Sequence, residues 1–229
     1  MTTIELAVFD MAGTTLNEHG DVYRALRQSV EENGVKVTDE NLQTWMGADK
    51  VEAIRSLLRL GGHAGDEATV AASFDRFRAL LRDFYAATPP EPLPGIPEAL
   101  AELRSNGVKV ALTTGFSTDV AGPLLEGLGW ATGEGGNLDA VVCSDEVAAG
   151  RPYPYMIQRA MERTGTKDVA TVLVAGDTVV DVEAGAAAGA GVVLGVETGK
   201  LTAADFAAQD GAQSLSSVAE IPAYLGLRS

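Results

Sequence analysis

The stretch Ile4-Glu5-Leu6-Ala7-Val8-Phe9-Asp10-Met11-Ala12-Gly13-Thr14-Thr15 decides the fold. An apolar run bounded by turn residues reads as a buried strand, and this one ends on a carboxylate that meets a tight Gly-Thr turn. In an open α/β sheet, ligands and reactive side chains collect at the carboxyl ends of the strands. Asp10 is therefore the first candidate for chemistry.

Beyond this turn the strand signal disappears. Periodic apolar segments near 21–33, 39–46, 50–60 and 66–86, joined by Gly-bearing loops, predict four helices. The run Thr88-Pro89-Pro90-Glu91-Pro92-Leu93-Pro94-Gly95 ends the last of them, because its prolines lack donors and fix φ. A different rhythm follows: helix 96–106, strand 108–113, helix 118–128, strand 139–143, helix 153–164, strand 169–175, helix 181–189 and strand 191–196. Such alternation predicts an α/β fold, a Rossmann-like core with a parallel sheet. The expected domains are a core of residues 1–17 and 93–229 and a small all-helical cap, 18–92, inserted after the first strand. The Ala/Gly-rich piece 184–191 reads as a closely packed helix and turn.

Composition bounds the function. A chain of 229 residues holds one substantial core and a smaller satellite. Acidic residues outnumber basic ones 32 to 17, a formal net charge of -15. That field repels nucleic acid and anionic membrane, so neither is an expected partner, and a phosphorylated ligand needs a local positive site or a cation. The single Cys143 excludes an internal disulfide and a thiolate-rich metal site, which directs the expectation to the cytoplasm. Glu5 and Asp10 interrupt the only early apolar run, so neither a signal peptide nor a membrane span is expected.

Three predicted strand ends carry polar groups. The first gives Asp10, Val110-Ala111-Leu112-Thr113-Thr114-Gly115 gives a hydroxyl beside a glycine, and Leu173-Val174-Ala175-Gly176-Asp177 gives a carboxylate with Asp181 close behind. Parallel strands bring these ends to one face. Clustered acids raise one another's pKa, and a hard divalent cation with an all-oxygen shell, Mg²⁺, relieves them. Taken alone, Asp177 reads equally well as a helix cap with Asp181 facing solvent. Arg151, in Ala149-Gly150-Arg151-Pro152-Tyr153-Pro154, leads a predicted helix with Pro152 in its first turn. It can neutralise a phosphoryl oxygen or pair with Asp10, while Thr114 and the amides around Gly115 donate to other oxygens. An aspartate so placed attacks phosphorus in line to give an aspartyl-phosphate, which water releases.

In order and strand context these residues resemble the haloacid dehalogenase superfamily. The resemblance implies Asp10 as nucleophile, Thr114 as the second motif, Arg151 at the site of the usual lysine, and Asp177 and Asp181 as the terminal acidic motif. It also implies a cap that closes with the core over a small phosphorylated or phosphonylated metabolite. Asp10-Met11-Ala12-Gly13-Thr14-Thr15 is similar to the phosphonoacetaldehyde hydrolase branch, in which Ala replaces a second Asp and offers only its carbonyl to Mg²⁺. Gly150-Arg151-Pro152 resembles the same branch. The likeness implies metal ligation by Asp10, Ala12, Asp177 and Asp181, with Gly13, Thr14, Met46, Gly47, Gly115 and Phe116 around the substrate. A methyl group is no general acid, so at Ala12 the leaving group is either not an alkoxide or takes its proton from elsewhere.

The cap holds a second clue. Trp45-Met46-Gly47-Ala48-Asp49-Lys50 resembles the branch's segment whose lysine forms a Schiff base with the aldehyde. Asp49 reads as an N-cap, and Lys50 shares the apolar stripe of Ala53, Ile54 and Leu57. The positive end of the helix opposes the ammonium there. The sequence departs from the branch at Ala53, where a proton-shuttling histidine is expected, at Phe116 in place of a phenol, and at Gly20 in place of a cysteine. The histidines present, His19 and His63, fall in loops. Two enzyme readings stay open: a Mg²⁺-dependent hydrolase of phosphonatase-like fold, favoured because Ala53 moves no proton, and a phosphonoacetaldehyde hydrolase acting through Lys50. A non-catalytic binder has no reason to keep Asp10, Arg151 and Asp177 together, and a mutase needs the acid-base carboxylate that Ala12 displaces. Apolar faces on the helices near 21–33 and 50–60, with the family likeness, imply a cap-to-cap homodimer.

Overall fold

The computed structural model describes residues 3–45, 47–133, 135–209 and 212–227. The chain divides into two compact units, Met1–Asn17 with Glu91–Ser229, and Glu18–Pro90. The first unit is an α/β core and the second is helical.

In the core, β1 (Leu6–Asp10), β4 (Lys109–Thr114), β5 (Ala140–Cys143), β6 (Val172–Gly176), β7 (Val192–Val196) and β8 (Gln213–Leu215) form a six-stranded sheet in the order β5-β4-β1-β6-β7-β8. Every pairing in it is parallel. β1 and β6 are buried along their whole length, which explains why both read as unbroken apolar runs rather than as alternation. Pairing sets Phe9 opposite Leu112 and Ala175, so Asp10 falls beside Thr113 and next to the end of β6.

Helices α5 (Ile96–Ser105), α6 (Thr118–Gly127), α7 (Tyr155–Thr164), α8 (Val179–Ala188), α9 (Ala203–Ala207) and α10 (Ile221–Tyr224) complete the core. Leu6, Val8, Val142, Met156, Ile157 and Val174 share one buried cluster in which α7 and the sheet meet. Each such side chain contributes about 1.5–3 kcal/mol of burial. The Ala/Gly-rich segment is the close helix-sheet contact that its composition implied: a Cβ on Gly185 of α8 would lie 2.9 Å from Val193 Cγ1.

Three features differ from the sequence reading. The sheet continues past residue 196 into β8, whose short polar run Gln213-Ser214-Leu215 carries little strand signal. Glu91 and Pro92, assigned to the cap by sequence, form β3 (Glu91–Pro92) of the core unit, paired antiparallel with β2 (Leu16–Asn17). Helix α7 starts at Tyr155 behind Pro154, so Pro152 lies in the turn before the helix.

The helical unit contains α1 (Asp21–Glu31), α2 (Asp39–Thr44), α3 (Lys50–Leu60) and α4 (Glu67–Ala87). Thr38, Asp49 and Asp66 cap α2, α3 and α4 by accepting from the amides of Asn41, Glu52 and Thr69. α1, α3 and α4 pack on one another, and Leu26, Val30, Ile54, Leu57, Phe77 and Leu81 of these helices are buried. Arg76 clamps Glu32 through Nε and Nη2 at 2.8 and 3.0 Å. Among the described residues no helix is long and apolar enough to cross a membrane.

Candidate active site

At the carboxyl end of the sheet, β1 presents Asp10 and the turn after β6 presents Asp177 and, inside α8, Asp181. One carboxylate oxygen from each lies within 4.8 Å of the other two, and all three side chains are buried. Arg151 enters from the turn before α7. Its Nη1 donates to Asp10 Oδ1 at 2.5 Å and also to Asp181 Oδ1. Its Nε is buried with no partner among the described residues.

The electrostatics follow from this crowding. Burial raises the Asp10 carboxyl to about 6; Arg151 opposes the rise and Asp181 adds to it. Burial, then the charges of Asp10 and Asp181, push Asp177 well above the usual carboxylate range, against the Thr14 hydrogen bond and Arg151. Burial disfavours the Arg151 charge, but Asp10 and Asp181 outweigh it and raise its pKa. One guanidinium among three carboxylates leaves negative charge uncompensated, and the donors are all oxygen. That set fits a hard divalent cation.

Each carboxylate is oriented by the chain around it. Thr178 is the N-cap of α8, and Asp181 Oδ2 accepts from its amide at 3.0 Å and its hydroxyl at 2.5 Å. Asp177 is thus not the helix cap that its position allowed. Instead, Thr14 Oγ1 donates to Asp177 Oδ1 at 2.8 Å and accepts from the Asp177 amide at 3.0 Å. Thr14, read as lining the substrate, has its hydroxyl engaged with Asp177. Gly13 has φ 88, and a Cβ there would fall 2.6 Å from Asp177 Oδ2. On another side Gly199 leaves the same room, since its Cβ would sit 2.1 Å from that oxygen. Thr198 Oγ1 donates to the Gly13 carbonyl at 2.6 Å and ties the two turns together.

After β4, Thr114 Oγ1 accepts from the Phe116 amide at 3.1 Å, which leaves the hydroxyl proton to donate. Ser144 pins the same turn: its amide donates to Phe116 O at 2.9 Å and its Oγ to Gly115 O at 3.3 Å. Phe116 is buried. Thr113 shares a small cavity with Asp10, Arg151, Tyr153 and Asp181. Ala12 bridges to Leu16 in the turn that follows Asp10.

The other sequence candidates lie in the helical unit. Met46 falls outside the described residues. Gly47 has φ 75, a left-handed conformation open to glycine, just ahead of the Asp49 cap. Lys50 is the first residue of α3 and is buried, with Nζ donating to Ala48 O at 2.7 Å. Ala53, Ile54 and Leu57 are buried on the same helix. His63 Nδ1 accepts from the Gly65 amide at 3.1 Å, a local loop contact, and His19 has φ 58.

Sequence reasoning missed Thr178, Thr198, Gly199 and Ser144. For Thr178 a signal existed, since Thr178-Val179-Val180-Asp181 has capping-box spacing. Thr198 and Gly199 carry no signal beyond a turn after a strand.

A haloacid dehalogenase-like hydrolase model matches residues 4–189, a range that holds Asp10, Thr114, Arg151, Asp177 and Asp181 but not Thr198 and Gly199. The chain belongs to this family. It is a hydrolase, and the acidic cluster that can hold a metal sits at the strand ends of the matched region. The phosphonoacetaldehyde hydrolase of Bacillus cereus strain AH187 is 32% identical over 210 residues, covering 84% of this chain and 76% of that protein. That of strain B4264 is 29% identical over 225 residues, covering 90% of this chain and 82% of that protein. Among solved structures, a phosphonoacetaldehyde hydrolase-like protein from Oleispira antarctica superposes with TM-score 0.80 at 22% identity, covering 98% and 92% of the two chains. A hydrolase from Pseudomonas syringae gives 0.83 at 20% identity, covering 98% of both. These structural likenesses concern the fold.

Proposed function

We propose that this chain is a Mg²⁺-dependent, phosphonatase-like hydrolase that cleaves a small phosphorylated or phosphonylated metabolite through an aspartyl-phosphate on Asp10. The observation that carries the reading is the buried cluster of Asp10, Asp177 and Asp181 with Arg151 across it. Asp10, Asp177, Asp181 and the Ala12 carbonyl would hold the ion, which when bound screens charge on the phosphoryl oxygens. Asp10 supplies the attacking oxygen: its bond to phosphorus forms as the leaving group departs with the electron pair of the old bond. Arg151 has Nε unspent in the buried site and offers it to a phosphoryl oxygen. Thr114 and the amides of Gly115 and Phe116 serve the remaining oxygens. Thr14 positions Asp177, and Gly13 gives that carboxylate its room.

A second reading, phosphonoacetaldehyde hydrolysis through a Lys50 Schiff base with Met46 and Gly47 beside the aldehyde, draws support from the 32% identity to the Bacillus cereus enzyme and from the buried amine of Lys50. Ala53 still leaves that lysine without a neighbouring histidine on its helix. Phosphate release from simple phosphate monoesters and from phosphonoacetaldehyde, measured side by side with Mg²⁺ and with chelator, separates the two. Release from esters alone supports the broader hydrolase, release from the aldehyde overturns that preference, and release from neither rejects both. The reading includes a cytoplasmic location and a homodimer through the cap. A monomer mass by light scattering at micromolar concentration would reject the dimer.

A further inference from the structure

Two turns of the core, one after β1 and one after β7, close on the carboxylate of Asp177, and the hydroxyl of Thr198 ties them together. Thr14 Oγ1, in the first turn, donates to Asp177 Oδ1 at 2.8 Å. The other oxygen, Oδ2, has glycine on two sides. An ideal Cβ on Gly13 would lie 2.6 Å from Oδ2, and one on Gly199, in the second turn, would lie 2.8 Å from Asp177 Cγ. Backbone thus packs where a side chain at either position would displace the carboxylate. Between the two glycines, Thr198 Oγ1 donates to Gly13 O at 2.6 Å.

Each turn is anchored on its own side. In the first, the amides of Thr14, Thr15 and Leu16 converge on Met11 O at 3.3, 2.8 and 3.0 Å, and the Gly13 amide donates to Leu16 O at 2.8 Å. Thr198 therefore bonds to a fixed point. In the second, β7 lies between β6 and β8, the Glu197 amide donates to Leu215 O at 3.0 Å, and Ser214 Oγ donates to Glu197 Oε1 at 2.8 Å. Past Glu197 the chain leaves the sheet. Gly199 is exposed, whereas Asp177 beneath it is 3% exposed, so this turn is the outer wall of the carboxylate.

Wedging of this kind bears on the size of the ion. Mg²⁺ takes oxygens at about 2.0–2.1 Å in a near-octahedral shell, whereas Ca²⁺ takes more of them, at about 2.3–2.6 Å, and tolerates irregular shells. A carboxylate free to retreat by roughly 0.3–0.5 Å accommodates either ion. One bonded through Oδ1 and walled by backbone at Oδ2 suits a shell of fixed size. We propose that Thr198 is a positioning residue that sets the preference of the site for Mg²⁺ over Ca²⁺, acting through Gly13 and Gly199 on Asp177. This rests on the reading of Asp10, Asp177 and Asp181 as cation ligands. Without the Thr198 hydroxyl the two turns part, Asp177 gains room, and the demand for one ionic radius relaxes.

The test is calorimetric titration of the metal-free chain with Mg²⁺ and, separately, with Ca²⁺, at pH 7.5. Thr198→Val keeps the size of the side chain and removes its hydroxyl; its Mg²⁺ dissociation constant should rise at least about 10-fold, the effect of losing a group that orients a ligand. Its Ca²⁺ constant should change less than about 2-fold, so that the preference falls at least about 5-fold. Thr198→Ala, which loses the bond without adding a methyl, should do the same, and Thr198→Ser should restore the preference. Melting temperatures in chelator show that the variants are folded. Equal weakening of both ions, an unchanged preference in the Val and Ala variants, or a wild type that binds the two ions alike overturns the inference alone. A wild type that binds neither ion overturns the cation reading and this inference together.

Discussion

At the residue scale, the Asp10 carboxylate is at once the proposed nucleophile and a member of a crowded acidic cluster. Asp10→Asn keeps the shape of the side chain but not its nucleophilicity, so phosphate release should fall at least about 1,000-fold in a preparation free of wild-type enzyme. The same variant reports on electrostatics. Burial raises the Asp10 carboxyl to about 6 in the fold, above the ordinary carboxylate value, so the folded chain binds a proton over a range where the unfolded chain has lost it. Stability from this group is therefore fullest below the unfolded value and is lost as pH rises through about 6. In chelator, Asp10→Asn should melt above wild type at pH 7.5, and the gap should narrow by pH 5. A wild type that melts above the variant in chelator at pH 7.5 would contradict the assigned direction of the shift.

Gly199 makes a second residue-scale argument, since any Cβ there would collide with the Asp177 carboxylate. Gly199→Ala should displace that carboxylate and weaken Mg²⁺ affinity about 10- to 100-fold by calorimetry, the effect expected of a residue that orients a metal ligand. Unchanged affinity would show that Asp177 has slack which the packing does not suggest.

At the scale of the element, α8 shows how a local capping rule becomes part of a site. Thr178 and Asp181 form its capping box, and the Asp181 oxygen not used on Thr178 meets Arg151. Thr178→Ala should cost about 1 kcal/mol of stability, and with it roughly 2–4 °C of melting temperature. It should also weaken Mg²⁺ binding, because Asp181 loses the hydroxyl that fixes its rotamer. Thr178→Ser should restore both. If the Ala variant loses stability while its Mg²⁺ affinity is intact, the cap is separable from the site. The neighbouring strands were legible because burial on both faces leaves their middles apolar: β1, β4 and β6 appear in sequence as apolar runs that lead to Asp10, Thr114 and Asp177. β8 was not legible, because a three-residue strand with two polar residues, Gln213 and Ser214, looks like a loop.

At the scale of the whole molecule, the parallel sheet converts distant positions in sequence into neighbours. Asp10 and Thr113 are partners across β1 and β4, and Phe9 and Ala175 across β1 and β6, so the turns that follow converge. The site shares the sign of the net charge of -15, since Arg151 stands there against the three buried carboxylates of Asp10, Asp177 and Asp181. A divalent cation should therefore stabilise the chain: at a concentration 100 times its dissociation constant the gain is about 2.7 kcal/mol. Mg²⁺ should raise the melting temperature at pH 7.5 and do so less at pH 5, where protons compete for Asp10 and Asp177. A rise that is equal at both pH values would place the ion elsewhere.

The sequence by itself determined the βα alternation, the helical insertion after the first strand and the identities of the strand-end acids, because burial and turn chemistry act over a few residues and leave a local pattern. It also marked Lys50 on the buried stripe of α3, since Asp49 announces the helix and the spacing of Ala53, Ile54 and Leu57 shows its face. Tertiary structure alone decided that Arg151 bridges Asp10 and Asp181, that Thr14 serves Asp177, and that Gly199 leaves room for that carboxylate. Those contacts join residues far apart in the chain. Their existence depends on distances of a few ångströms set by strand register and helix packing, which no local pattern encodes.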